Sequence, residues 1–192
     1  NVDACNIPNA IELSGVVKKK RKIKSIIYVG RLVPWKQVDK VLEAFKYLLE
    51  KDKRWSLTIA GDGSEKNRLE QIVKSGKLQN VTFAGSLSKQ QVLNLMAEHE
   101  YLILFSSYEG MSHTLLDAMG LGLKIVASDI LANRTVVRDG AYGKLVSPNK
   151  INDLSNAFTN DYDSQMIDNA KAYVLKKHNW DKHVDLLLKQ IL

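Results

Sequence analysis

Six short apolar runs alternate with segments of helical period along nearly the whole of this 192-residue chain, and no other feature narrows its fold as much. The runs are Ser25-Ile-Ile-Tyr-Val-Gly30, residues 55–60, Val81-Thr-Phe-Ala-Gly85, Tyr101-Leu-Ile-Leu-Phe105, Lys124-Ile-Val-Ala127 and Gly143-Lys-Leu-Val-Ser-Pro148. Runs that are apolar at consecutive positions, rather than at every second one, are buried on both faces. Between them, residues 38–51 carry Val41, Leu42, Phe45, Leu48 and Leu49 at helical spacing, and a helix opened by Ser64 and closed near Gly76 carries Leu69, Ile72 and Val73. Ser88 and Gln91 make a capping box for a helix through His99, and further helices are predicted over 132–137, 152–158, 163–178 and 180–192. Alternation this regular predicts an α/β fold: a three-layer sandwich whose parallel sheet, of about six strands, has right-handed crossovers and is covered on both sides.

The stretch Ser106-Ser-Tyr-Glu-Gly-Met-Ser-His-Thr-Leu-Leu-Asp-Ala-Met-Gly-Leu-Gly122 follows the fourth run. It places Glu109 where a strand hands over to a helix, in the crevice outside the carboxyl ends of the sheet where open α/β folds bind ligands. Gly110 is read as the residue that makes this turn tight, and Ser112 as the N-cap. The helix start then presents free N–H groups and its positive dipole end to an anion such as phosphate. Asp117, one turn beyond His113, sets a second carboxylate on the face that His113 and Thr114 share, leaving Leu115, Leu116 and Met119 for the core.

The length suits one ample domain, over 25–192, after a lead-in, 1–24, that lacks a sustained period. Much of the net charge of +7 is local, in Lys18, Lys19, Lys20, Arg21, Lys22 and Lys24 just before the first run. A solvated linker is the favoured reading of that cluster, and contact with anionic lipid headgroups the second. Nucleic acid is disfavoured, because no helix-turn-helix, aromatic platform or zinc pattern accompanies the cluster. No apolar run is long enough to cross a bilayer and no signal-peptide pattern opens the chain, so it reads as cytoplasmic. The single cysteine, Cys5 in the lead-in, excludes an internal disulfide and any cysteine-based metal cluster.

The segment from Glu109 to Asp117 resembles the paired-acid signature of retaining glycosyltransferases of the two-domain GT-B architecture, the large group that includes glycogen synthases and bacterial mannosyltransferases. Asp117 stands where that family usually has a second Glu. Gly30-Arg-Leu-Val-Pro-Trp-Lys36 is similar to the family's Gly-Arg-Leu-x-x-x-Lys signature, with Gln37 where glycine is frequent. Ile7-Pro-Asn-Ala-Ile11 is similar to the short linker that joins the family's acceptor and donor domains. Gly143-Lys-Leu-Val-Ser-Pro148 and the final Trp180 segment stand where the family places theirs. The resemblance implies a Rossmann-like, C-terminal, nucleotide-sugar-binding domain, one half of a GT-B enzyme, with 1–24 as an interdomain linker and the acceptor domain absent.

It also implies roles. Arg31 and Lys36 would bind the donor diphosphate and stabilise the leaving group as its charge grows. Glu109 would contact hydroxyls of the donor sugar and Asp117 the ribose, while Gly110, Met111, Ser112, His113, Thr114 and Leu115 line the sugar and the distal phosphate. Gly61 and Gly63 would let backbone approach the ligand, and the base would rest on main chain at Gly85 to Leu87. Arg31, Lys36 and Glu109 are the candidate catalytic residues, and neither acid is assigned as a nucleophile. No cofactor and no metal are expected, since the two cations and the helix start neutralise the phosphates. His113 is read either as a donor contact or as an ordinary helix-start histidine. His99, His178 and His183 are read as surface or partly packed, and Asp161-Tyr-Asp163 as a solvated turn.

The expected partners are a nucleotide-sugar and an acceptor domain of the same parent chain, with an anionic surface at the inner membrane face as a partner only on the second reading of the basic cluster. The expected process is polysaccharide or glycolipid synthesis, and the lone domain is not expected to transfer sugar. A non-catalytic nucleotide-sugar or phosphate-binding module stands as the alternative, motivated by Asp117, Gln37 and the missing half. A dinucleotide oxidoreductase is disfavoured, because no Gly-x-Gly-x-x-Gly follows the first run.

Overall fold

The computed structural model describes residues 9–17, 19–159 and 161–191. Cys5, Lys18 and the first two residues of the linker-like segment, Ile7 and Pro8, lie outside the described residues. Six parallel strands, β1 (Ser25–Val29), β2 (Ser56–Ala60), β3 (Val81–Gly85), β4 (Tyr101–Leu104), β5 (Lys124–Ser128) and β6 (Lys144–Val146), form one sheet in the order β3-β2-β1-β4-β5-β6. The helices are α1 (Val38–Lys51), α2 (Lys66–Ser75), α3 (Lys89–Ala97), α4 (His113–Leu121), α5 (Leu131–Val137), α6 (Ile151–Thr159), α7 (Ser164–Lys177) and α8 (Trp180–Ile191), with a 3-10 turn at Pro34–Lys36.

The period of two along each strand divides the core into two layers. Ile26, Tyr28 and Ile103 face α1 and α6 with Phe45, Leu48, Leu154 and Phe158. Ile27, Leu102, Leu104 and Ile125 face α3, α4 and α7 with Met96, Leu115, Met119 and Val174. Strands buried on both sides cannot alternate polar and apolar residues, which is why the sequence shows continuous apolar runs. Trp55, Tyr101, Phe158 and Tyr162 meet edge-on or tilted at one end of the first layer, with centroids 5.3 to 6.3 Å apart.

The described part of the lead-in lies on the domain. Ile11 is buried and its N–H donates to the carbonyl of His178, while the Arg21 guanidinium donates to the carbonyls of Leu121 and Gly122 at the C-terminus of α4. These orphan carbonyls at the negative end of a helix favour a cation. Lys19 and Lys22 pair with Glu98, and Lys24 with Asp52, so much of the basic cluster is engaged by the domain itself. No helix among the described residues is long and apolar enough to cross a membrane.

Three local expectations are corrected. His99 and His178 are fully buried: the ring of His99 contacts the Leu95 carbonyl and the Thr58 hydroxyl, and that of His178 contacts the Asn9 carbonyl. Those partners are distant in the chain or on backbone, so nothing near either histidine in sequence announces them. Helix α2 starts at Lys66, with Glu65 as its N-cap, whose N–H donates to the carbonyl of Leu32. Strand β6 spans only Lys144–Val146, as long as its pairing with β5 lasts.

Two substitutions on α1 separate core from surface. Phe45→Ala removes a ring that is 1% exposed and should lower the unfolding free energy by about 3–5 kcal/mol. Tyr47→Ala, at a residue 39% exposed, should stay within about 0.5 kcal/mol of wild type in urea unfolding.

Candidate functional site

Strand β1 runs beside β4, and their connections leave toward opposite layers, α1 on one side of the sheet and α4 on the other. That divergence opens the crevice expected at a topological switch point. The loops at the strand tips are stitched to their neighbours, and the bond from Ser107 to Trp35 crosses the crevice. Gly30 and Leu32 donate to the carbonyls of Ala60 and Asp62, Gly61 donates to that of Gly85, and Ser107 donates to that of Trp35. Ser106 N–H reaches the Ser128 hydroxyl, which joins the β5 tip to the others. The β1 and β2 tips lie so close that a Cβ at Gly61 would stand 1.9 Å from the Gly30 carbonyl oxygen, so only glycine fits there.

Inside this frame the Lys36 ammonium donates to both carboxylate oxygens of Glu109, at 2.6 and 2.7 Å, with both side chains largely removed from solvent. The Ser106 hydroxyl donates to the same carboxylate at 2.7 Å. The buried Tyr28 phenol donates to the Arg31 carbonyl, and burial, with Glu109 adding to it, raises its pKa above the ordinary range. Arg31 itself is exposed at the rim, its guanidinium 5.6 Å from the Trp35 ring centroid.

Ser112 caps α4 by accepting from the N–H of Leu115, which leaves the first-turn N–H groups of His113 and Thr114 toward the crevice side of the sheet. Met111 and His113 are exposed, Thr114 is half-buried and Leu115 fully buried. Gly85 has a left-handed φ of +68° with open space where a Cβ would point, and Leu87 is half-buried. Gly110 departs from expectation. Its φ is not positive and a Cβ there would meet nothing, so the turn does not require glycine; what glycine leaves at this position is open space beside Glu109.

Asp117 does not join Lys36 and Glu109 in one ion cluster. It is 3% exposed, and its Oδ2 pairs with the ammonium of Lys89 at the start of α3. Burial raises its pKa above the ordinary carboxylate range, with Lys89 and then His113 opposing that shift. Sequence reasoning missed Lys89, Ser106 and the Trp35 carbonyl. Lys89 does follow the capping serine in the loop after β3, but no spacing rule links it to an acid 28 positions later. In the sequence-predicted Asp161-Tyr-Asp163 turn, Asp163 caps α7 by accepting from Gln165 N–H.

A doubly wound parallel sheet with a helix start and a cation–carboxylate pair at its switch point is the arrangement at which open α/β folds hold ligands. Comparison with known proteins makes the class specific: residues 10–182 match the model of the glycosyl transferases group 1 family, and the chain belongs to that family. It is 31% identical over 189 residues to an exopolysaccharide phosphotransferase of Streptomyces coelicolor, covering 96% of this chain and 20% of that protein. Its fold matches Staphylococcus aureus TarM, in a complex with fondaparinux, alpha-GlcNAc-glycerol and UDP, with a TM-score of 0.84 and 22% identity over 96% of this chain and 38% of that one. It also matches the C-terminal domain of the group 1 glycosyl transferase LpcC of Francisella tularensis, with a TM-score of 0.71 and 22% identity over 85% of this chain and 90% of that one. The fold is thus that of one half of a GT-B enzyme. The chain spans between 20% and 45% of the length of the curated relatives it matches.

Two outcomes test this geometry. Gln37 has a left-handed φ of +46° and a buried side-chain oxygen without a partner, so Gln37→Gly should stabilise the chain by about 1 kcal/mol in urea unfolding. Asp117 binds its proton more tightly folded than unfolded, so it costs stability as pH rises from the ordinary aspartate value through its raised one. Asp117→Asn removes that slope: unfolding midpoints measured from about pH 4 to about pH 7 should show the variant gaining on wild type across this window, then holding a constant lead.

Proposed function

We propose that this chain is the nucleotide-sugar-binding domain of a retaining, metal-independent glycosyltransferase of polysaccharide or glycolipid biosynthesis. The observation that carries the reading is the Lys36–Glu109 pair, which links the loops after β1 and β4 across the switch point, beside the start of α4. A donor brings a diphosphate and a polyol together. The diphosphate competes for the Lys36 ammonium and the Arg31 guanidinium, and Glu109, released from its cation, accepts hydrogen bonds from sugar hydroxyls. Cations held in place before the reaction stabilise a departing nucleoside diphosphate more than the bound donor, because charge accumulates on it in the transition state.

The UDP held by TarM supports a nucleoside diphosphate as the ligand class. Since the curated relatives are longer than this chain, transfer itself is assigned to a longer protein in which an acceptor-binding domain closes the crevice from above. Lys19 and Lys22, each more than half exposed, belong to the lead-in segment proposed to meet anionic lipid at the inner membrane face.

Calorimetric titration of this chain with UDP- and GDP-sugars should show binding of at least one at millimolar concentration or below. Arg31→Ala, at an exposed position that leaves the core intact, should weaken it about 10- to 100-fold, as expected for one charge-assisted phosphate contact. A folded sample that binds none of these donors removes the reading.

A further inference from the structure

Lys36 accounts for only part of what holds Glu109. The ammonium donates to both carboxylate oxygens, whereas the Ser106 hydroxyl donates to Oε1 alone, at 2.7 Å. Ser106 is in turn pinned from behind: its N–H donates to the Ser128 hydroxyl at 3.1 Å, and the Asn133 amide donates to the hydroxyl and the carbonyl of Ser128, each at 2.9 Å. Ser106, Ser128 and Asn133 are all fully buried, so this line of polar side chains runs through the interior and ends on one acid. That acid lines a cavity of about 530 Å³ between its own loop and the start of α5, where Ile130, Leu131, Ala132 and Thr135 form the opposite wall. Among the described residues that line it Glu109 alone is charged, and Thr135 donates its hydroxyl to the Leu131 carbonyl. Asn133 belongs to the helix that supplies this wall, so the line fixes the acid relative to the surface it faces.

We propose that Ser106, anchored through Ser128 by Asn133, is a positioning residue of the donor site: when a diphosphate draws Lys36 away, Ser106 keeps Oε1 of Glu109 in place and leaves Oε2 as the oxygen free for the sugar half of the donor. This rests on the nucleotide-sugar reading above. Among the described residues Lys36 is the only partner of Oε2, so that oxygen comes free when the ammonium is taken, while Oε1 retains a donor. Glu109 sits next to Gly110, where a Cβ would meet nothing, so packing at that neighbour does not confine it. A carboxylate released from its cation there regains rotamer freedom, and binding would have to offset the loss of it again. A serine hydroxyl suits the task, because it donates one hydrogen bond and leaves the remaining lone pairs of the acid for a ligand.

Calorimetric titration of this chain with UDP and GDP beside the matching UDP- and GDP-sugars tests the proposal. The free diphosphates report the contacts of Arg31 and Lys36, and the ratio of sugar-donor affinity to diphosphate affinity reports what the sugar half adds. Ser106→Ala should lower that ratio about tenfold, the scale of one charge-assisted contact, and leave the affinity for the free diphosphate unchanged. In a Glu109→Gln background Ser106→Ala should add no further loss. Ser128→Ala, which removes the anchor behind Ser106, should lower the ratio in the same direction and carries the test where Ser106→Ala does not unfold cooperatively in urea. An unchanged ratio overturns the proposal, as does an equal loss for diphosphate and sugar donor, the mark of a merely structural role, or an additive loss with Gln at 109. A folded wild-type chain that binds no sugar donor overturns the nucleotide-sugar reading, and this inference with it, whereas donor binding indifferent to Ser106 and Ser128 overturns this inference alone.

Discussion

Strand β1 stands at the middle of the sheet, paired to β2 on one edge and β4 on the other, and the chain leaves β1 and β4 toward opposite layers. Because both faces of the sheet are covered by helices, the edge formed by the strand tips is where ligand chemistry has room, and the divergence places a gap there that neither α1 nor α4 fills. The gap is bridged by short contacts: the backbone bond from Ser107 to Trp35 and the ion pair of Lys36 with Glu109. The register of the loops follows from the sheet, and the placing of the charges follows from the loops.

Charge in the crevice is arranged as two separate pairs. Glu109 has Lys36 and Ser106, all supplied by strand-tip loops, while Asp117 has Lys89, supplied by the neighbouring helix. Separately paired carboxylates avoid the mutual repulsion that two acids sharing one site would suffer. A pair this poorly solvated contributes less net stability than its short contacts suggest, because both charges have left water. Its value lies in geometry: it ties the loop after β1 to the loop after β4.

The layered architecture was legible from the chain because burial on two faces leaves a pattern that needs no partner to recognise: Ile26 to Val29 and Leu102 to Leu104 are apolar without interruption. The caps at Ser88 and Ser112 were legible for a similar reason, since each acts on N–H groups within three residues. The site was legible in part. Arg31, Lys36, Glu109 and Asp117 stand in recognisable strings, but which cation meets which acid depends on how far each loop folds back, and Asp117 took Lys89 rather than either member of the β1 loop. His99 and His178 were misread because their partners, Thr58 and Asn9, are brought to them by other elements.

By itself, then, the order of residues determined the alternation of strand and helix, the parallel sense of the sheet and the residue types available at the strand tips, all of which depend on periodicity and local capping. Only the tertiary structure decided the order β3-β2-β1-β4-β5-β6, the gap between β1 and β4, and the division of four charges into two pairs. Those features depend on distances between segments dozens of residues apart, and such distances exist only once the core has closed and carried the loops to their places.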